Sequence, residues 1–143
     1  MTGGNGFSPV TDEELLARFI LFKGWIRKSN LTVKPDAFIP HPYPDLSVTL
    51  HKNISEQELW RIGGDVADAR GATLYGRADI HAAEVRRQAL NVEPRPVSDN
   101  PNHANITGWP AEKPGQKITA LQLAAKACFV SNPLSTRQKT DQG

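Results

Sequence analysis

His51, Arg77 and His103 are the residues of this chain whose types suit proton transfer near neutral pH beside an anionic group. Two imidazoles can divide the roles of acid and base, because an unperturbed histidine titrates near physiological pH. A guanidinium can hold developing charge on a phosphate oxygen, so such a site needs no metal. Lys52 follows His51 directly and adds a second cation. The segment Asn100-Pro-Asn-His-Ala-Asn-Ile-Thr-Gly-Trp-Pro110 sets an imidazole, three amides and an indole between prolines. Stiff loops carrying polar groups are where binding residues concentrate. Asn102, Asn105 and Trp109 are therefore candidate ligand contacts, and Trp109 or Tyr75 is suited to stacking on a base. The expected function is a polar site for a nucleotide or an RNA phosphate, with metal-independent phosphodiester or phosphoryl chemistry at His51, Arg77 and His103. Each residue also has a structural reading: asparagines satisfying turn carbonyls, a hydrogen-bonded half-buried histidine, aromatics packed in the core.

Other chemistries find less support. No glycine run precedes a Gly-Lys-Ser/Thr triplet, so a P-loop is absent, and so is a dinucleotide-binding glycine fingerprint. His41, His51, His81 and His103 are scattered singly and Cys128 is the sole cysteine, which argues against structural zinc and rules out an internal disulfide. His81 and Glu84 stand three apart, but beside Arg86 and Arg87 they fit a solvated helix face. A two-carboxylate nuclease site lacks its second acidic member on a convincing strand. Neither metal nor cofactor is expected.

The elements that must position these residues come from 143 positions, 38% hydrophobic and 22% charged, the balance of one ordinary domain. A net charge of +2 without a basic run gives no support for duplex DNA binding or a polybasic membrane anchor. Residues 1–9 are uncharged and Gly-rich, without the layout of a secretory leader, which predicts a cytoplasmic protein.

Residues 1–10 are expected to be flexible, 11–130 to form one globular domain and 131–143 to be a disordered tail. Thr11 and Glu14 have capping-box spacing, predicting a short helical turn that runs into a buried strand over Phe19–Ile26. Four prolines in residues 33–46 predict an extended loop anchored by Phe38, Ile39 and Tyr43. Leu46-Ser-Val-Thr-Leu50 alternates like a half-buried strand and delivers His51 and Lys52 to a rim. Ser55 and Glu58 open a helix that Gly71 should stop. Residues 73–78 read as a strand with Gly76 at a bulge or close approach, and Asp79 as the cap of a helix to residue 89. Residues 93–102 read as an irregular crossing and 104–109 as a strand. Residues 117–129 read as a helix with Ile118, Leu121, Ala125 and Cys128 on one apolar face, widened by Ala124 and Phe129. The sum is a compact α+β domain: a short mixed or antiparallel sheet, two to three helices and Pro-rich loops.

Leu46-Ser-Val-Thr, Glu58-Leu-Trp-Arg-Ile-Gly63, Gly76-Arg-Ala78 and His103-Ala-Asn-Ile-Thr-Gly-Trp-Pro110 together resemble segments shared by a group of small uncharacterised bacterial proteins. The resemblance spans residues 15–130 in the same order. It implies a bacterial, cytosolic protein and brings no catalytic assignment.

A second functional class is a non-catalytic accessory subunit that docks on a larger protein through the Pro-rich loop 33–46. Exposed aromatics on a stiff loop make good anchors. The two classes part on a structural question: whether His51, Arg77 and His103 converge on one hollow, or Phe38, Ile39 and Tyr43 stand free.

Overall fold

The computed structural model describes residues 9–133. Six strands form one antiparallel sheet: β1 (Leu15–Ile20), β4 (Leu46–Leu50), β5 (Gly76–His81), β6 (Asn91–Pro94), β7 (His103–Thr107) and β8 (Cys128–Ser131). Their spatial order is β6-β7-β4-β1-β5-β8, with β1 in the middle. A small ribbon of β2 (Ile26–Arg27) and β3 (Thr32–Val33) stands apart. Among the described residues three helices complete the α+β domain: α1 (Glu56–Ala69), α2 (Ala82–Arg87) and α3 (Lys113–Lys126).

Alternation along the strands gives the sheet two unlike faces. Leu16, Ile20, Leu46, Val48, Leu50, Ala78, Ile80, Val92, Ala104 and Ile106 point to one side and form a continuous apolar core. Phe38, Val85 and Leu123 close over it from the 3₁₀ turn Pro35–Phe38, α2 and α3. Burying a side chain of this size stabilises by about 1.5–3 kcal/mol. The other side is apolar only along β1, where Ala17 and Phe19 meet Leu59, Ile62 and Ala67 of α1. Beyond that strip the second face carries Ser47, Thr49, Arg77, Asp79, His103 and Asn105.

Local signals account for the helix that covers this second face. Ser55 Oγ accepts a hydrogen bond from the Glu58 backbone N–H at 3.0 Å, and Gly71 takes φ +63° just past the helix end. At residue 63 a Cβ would stand 2.7 Å from the Phe19 ring, so glycine is what lets α1 sit down on β1.

Several expectations are corrected. Thr11 and Glu14 form a turn and not a helix, since the Glu14 carboxylate accepts from the Thr11 backbone N–H at 2.8 Å and the chain enters β1 directly. The third strand runs three residues later than expected, and Asp79 is held within it by Arg77, leaving His81 to open α2. Asn91–Pro94, assigned in part to an irregular crossing, pairs with β7 as an edge strand. Val10 is buried in the main core, so order begins before residue 11. Residues 128–131 are strand where helix and tail were expected, and Asn132 is buried. The rest of the expected mobile ends, residues 1–8 and 134–143, lies outside the described residues.

The largest correction is the face of α3. Gln116, Ala120, Leu123 and Ala124 are buried, while Ile118 and Leu121 are 67% and 51% exposed and Cys128 is exposed on β8. Small alanines let the helix close onto the Pro35–Phe38 turn, which branched residues would hold off. Leu123→Ala should therefore lose about 2–5 kcal/mol, and Ile118→Gln should stay within about 0.5 kcal/mol of the parent. Urea unfolding of the two variants checks this assignment, which fails if their order is reversed.

Candidate functional site

Strand register decides which candidate residues meet. Arg77 and Asp79 lie two apart on β5, so both point under the N-terminus of α1. The backbone N–H of His51 donates to the Leu15 carbonyl at 3.1 Å, which extends the β4–β1 pairing and brings the imidazole to the same place. Its Nε2–H donates to Asp79 Oδ1 at 2.9 Å. Arg77 Nε donates to both Asp79 oxygens at 3.0 and 3.1 Å. Its two terminal nitrogens donate to the Glu56 carboxylate at 2.7 and 3.2 Å. The Trp60 ring lies 4.7 Å from the guanidinium carbon and covers it.

Arg77 is only 5% exposed. Burial penalises its charge, and the bonds to Glu56 and Asp79 more than offset that, so its pKa is raised. The hydrogen bonds from Arg77 hold Glu56 below the usual carboxylate range. All three nitrogens of this guanidinium donate to protein carboxylates, and none of the three concave surfaces described below is lined by His51 or Arg77.

His103 is elsewhere. Asp79 pairs across to Ala17, Ala17 to Thr49, and Thr49 to His103, so three strand spacings of about 4.8 Å separate the two residues. The structure thus joins His51 to Arg77 through Asp79 and sets His103 apart, on the half of the sheet that α1 leaves uncovered. Its Nδ1–H donates to the Arg95 carbonyl at 2.8 Å. Asn102 donates from its amide to the carbonyls of Leu50 and Lys52 at 2.8 and 2.7 Å, closing the end of the β4–β7 pair. The Lys52 side chain is exposed. Trp109 Nε1–H donates to the Ile106 carbonyl at 2.9 Å, and its ring packs on the main core.

The concave surface on the uncovered half is a groove of 510 Å³ between the Pro-rich loop and the turn before β2. Tyr43 and Phe22 front it with 61% and 53% exposure. Trp25 lines it too, its ring centroid 4.8 Å from that of Phe22. Arg18, Arg70, His41, Ser47 and Asn105 bring polar groups to it, with Asp45 among the lining residues as a single acid. Phe38, expected as an anchor of the loop, is fully buried beneath it, and Ile39 is half-buried. A further concavity of 770 Å³ runs beside Trp60 and Arg61, between α1 and the segments 72–74 and 132–133.

Arg18 explains how the groove forms. It occupies an inward position of β1, between Leu16 and Ile20, where its neighbours are apolar. Pairing of β1 with β4 reaches only Ala17 and Thr49. Past that point the guanidinium fills the gap, Nε donating to the Ala37 carbonyl at 2.8 Å and Nη1 to the Ser47 carbonyl at 3.1 Å. Its carbon sits 5.4 Å from the Trp25 ring. Burial, and after it the charge of Arg70, bring the Arg18 pKa down to about 10. Neither arginine has a carboxylate partner among the described residues. Sequence reasoning passed over both arginines, although a charge at the inward position of Leu-Leu-Ala-Arg-Phe-Ile was a visible anomaly.

Among the described residues no group of three or more His, Cys, Asp or Glu side chains is placed to hold a metal ion, and no helix is long and apolar enough to cross a membrane. Comparison with family models, curated proteins and solved structures finds no match to this chain.

Proposed function

We propose that the protein binds a nucleotide or a single-stranded RNA segment in the groove between Tyr43 and Trp25, as a binding module and not through catalysis at His51, Arg77 and His103. The observation that carries this reading is the pair Arg18 and Arg70, two cations fronting one groove, neither of them ion-paired among the described residues although Asp45 also lines the groove. An anionic ligand relieves that repulsion. Exposed aromatic faces beside the arginines suit a ligand that carries a flat base as well as a phosphate, and base–aromatic stacking is worth about 1–3 kcal/mol per base. Asn105 adds a donor and acceptor on the sheet floor. Arg77 argues against catalysis at the first-named residues, because its guanidinium is buried, each of its nitrogens donates to Glu56 or Asp79, and it lines none of the concave surfaces.

Calorimetric titration with hexauridylate tests the reading. Two phosphate contacts predict a slope of log K against log salt of about −1.4. Arg70→Ala and Tyr43→Ala should each weaken binding at least tenfold, on the order of 1.4 kcal/mol, with melting temperatures unchanged because both side chains are exposed. Binding that neither variant alters, or no binding at low salt, would reject the groove as the site.

A further inference from the structure

We infer that the groove ends in a pocket for a terminal phosphomonoester, so that the favoured ligand is a nucleoside monophosphate or a phosphorylated RNA end. This rests on the groove binding nucleotides at all, and it adds which part of the ligand goes where. A hollow of 50 Å³ adjoins the groove and shares Arg18, Trp25, Ser47 and Arg70 with it. That volume admits a group of a few heavy atoms and excludes a sugar or a base.

Thr49 is the residue that makes the hollow a built site. It lines the cavity, yet it is only 2% exposed. Its Oγ1 accepts a hydrogen bond from the Asn100 amide at 2.9 Å. An incoming donor on one side of a hydroxyl turns the hydroxyl's own hydrogen elsewhere. That hydrogen has no acceptor among the described residues, and a buried donor left unpaired costs free energy until a ligand oxygen takes it. Asn100 is itself buried and held by the backbone, its side-chain oxygen accepting from the Asn102 N–H at 3.0 Å, so the Thr49 hydroxyl is pre-oriented.

His103 completes the wall. Its Nδ1–H is committed to the Arg95 carbonyl, which leaves Nε2 without a partner among the described residues. Nε2 is then the atom that shares a proton with a monoester oxygen. A monoester has three terminal oxygens to meet Thr49, the arginines and His103. A diester has two, and its second ester link would have to bring a further sugar up to a hollow of only 50 Å³.

The probes are uridine monophosphate, the dinucleoside UpU, and hexauridylate with and without a 5′-phosphate, titrated calorimetrically into the full chain. Uridine monophosphate should bind at least tenfold tighter than UpU, and the 5′-phosphate should tighten the hexamer tenfold or more. Thr49→Val should erase that difference and leave the unphosphorylated hexamer unchanged, while Thr49→Ser should retain it. If Thr49→Val does not fold, Ser47→Ala, at an exposed position lining the same hollow, takes its place, with a smaller loss of the same difference. Equal affinity for phosphorylated and unphosphorylated hexamers, with both weakened by Arg70→Ala, overturns the terminal-phosphate pocket and leaves the groove standing. No binding of any probe overturns both.

Discussion

Arg77→Ala should cost about 3–5 kcal/mol of folding stability, although Arg77 occupies a position that sequence analysis treated as catalytic. Removing it leaves Asp79, 11% exposed in its side chain, facing α1 without its main counter-charge. It also takes away the cation beneath Trp60 and two donors to Glu56. Breaking a buried pair costs more than the pair itself is worth, because one desolvated charge stays behind. Arg61 is the matched control. It too pairs with two carboxylates, Glu58 and Asp65, but from a side chain 49% exposed. Arg61→Ala should leave the urea midpoint close to that of the parent, because solvent screens these exposed pairs. Urea midpoints of the two variants measure the contrast, and equal losses would refute the buried network. The Glu56 part has a pH signature with a definite sign. Its pKa is lowered on folding, so its contribution is present above the unfolded value and fades as pH falls through the lowered one. The gap between the parent and Glu56→Gln should therefore be widest near neutrality and close in acid.

The same cluster shows which parts of this molecule were legible from sequence and which were not. Leu46–Leu50 and the helix opened by Ser55 were readable because alternation and capping are local and point the same way as the tertiary packing. Asp79 was misread because a lone aspartate before Ile-His-Ala-Ala is a good helix cap, and only the fold supplies Arg77 and His51 to hold it in a strand. The α3 face was misread because Ile118 and Leu121 outrank Ala120 in hydrophobicity, whereas close approach to the Pro35–Phe38 turn rewards small side chains. The site is the hardest part. Arg18, Thr49, Arg70 and His103 are far apart in the chain, and they meet because β1 and β4 splay after one short paired stretch. No spacing rule encodes a splay. Arg18 was nonetheless detectable, since a guanidinium at an inward strand position needs a polar neighbour to justify it.

Gly76→Ala should be the most damaging single methyl in the protein, costing about 3 kcal/mol, the upper end of ordinary overpacking. Gly76 opens β5 opposite Ser131, with Phe129 of β8 laid over it on the core side. A Cβ there would stand 2.7 Å from the Phe129 ring and would also collide with the Val130 carbonyl oxygen. A ring can tilt, but a backbone oxygen in a paired strand moves only if the strand moves. The methyl therefore pries β8 from β5, and β8 is an edge strand with no further neighbour in the sheet to hold it. Amides of residues 128–131 should lose protection from hydrogen exchange while those of β4 and β7 keep theirs. Gly64→Ala supplies the opposite sign. It lies inside α1 with nothing within 4 Å of its would-be Cβ, so the methyl meets open space and restrains the unfolded chain. That variant should gain up to about 1 kcal/mol. Two glycine-to-alanine changes that differ only in what the new carbon touches thus bracket the parent. A Gly76→Ala protein that kept its β8 protection would mean the Val130 carbonyl is not where the close approach requires it to be.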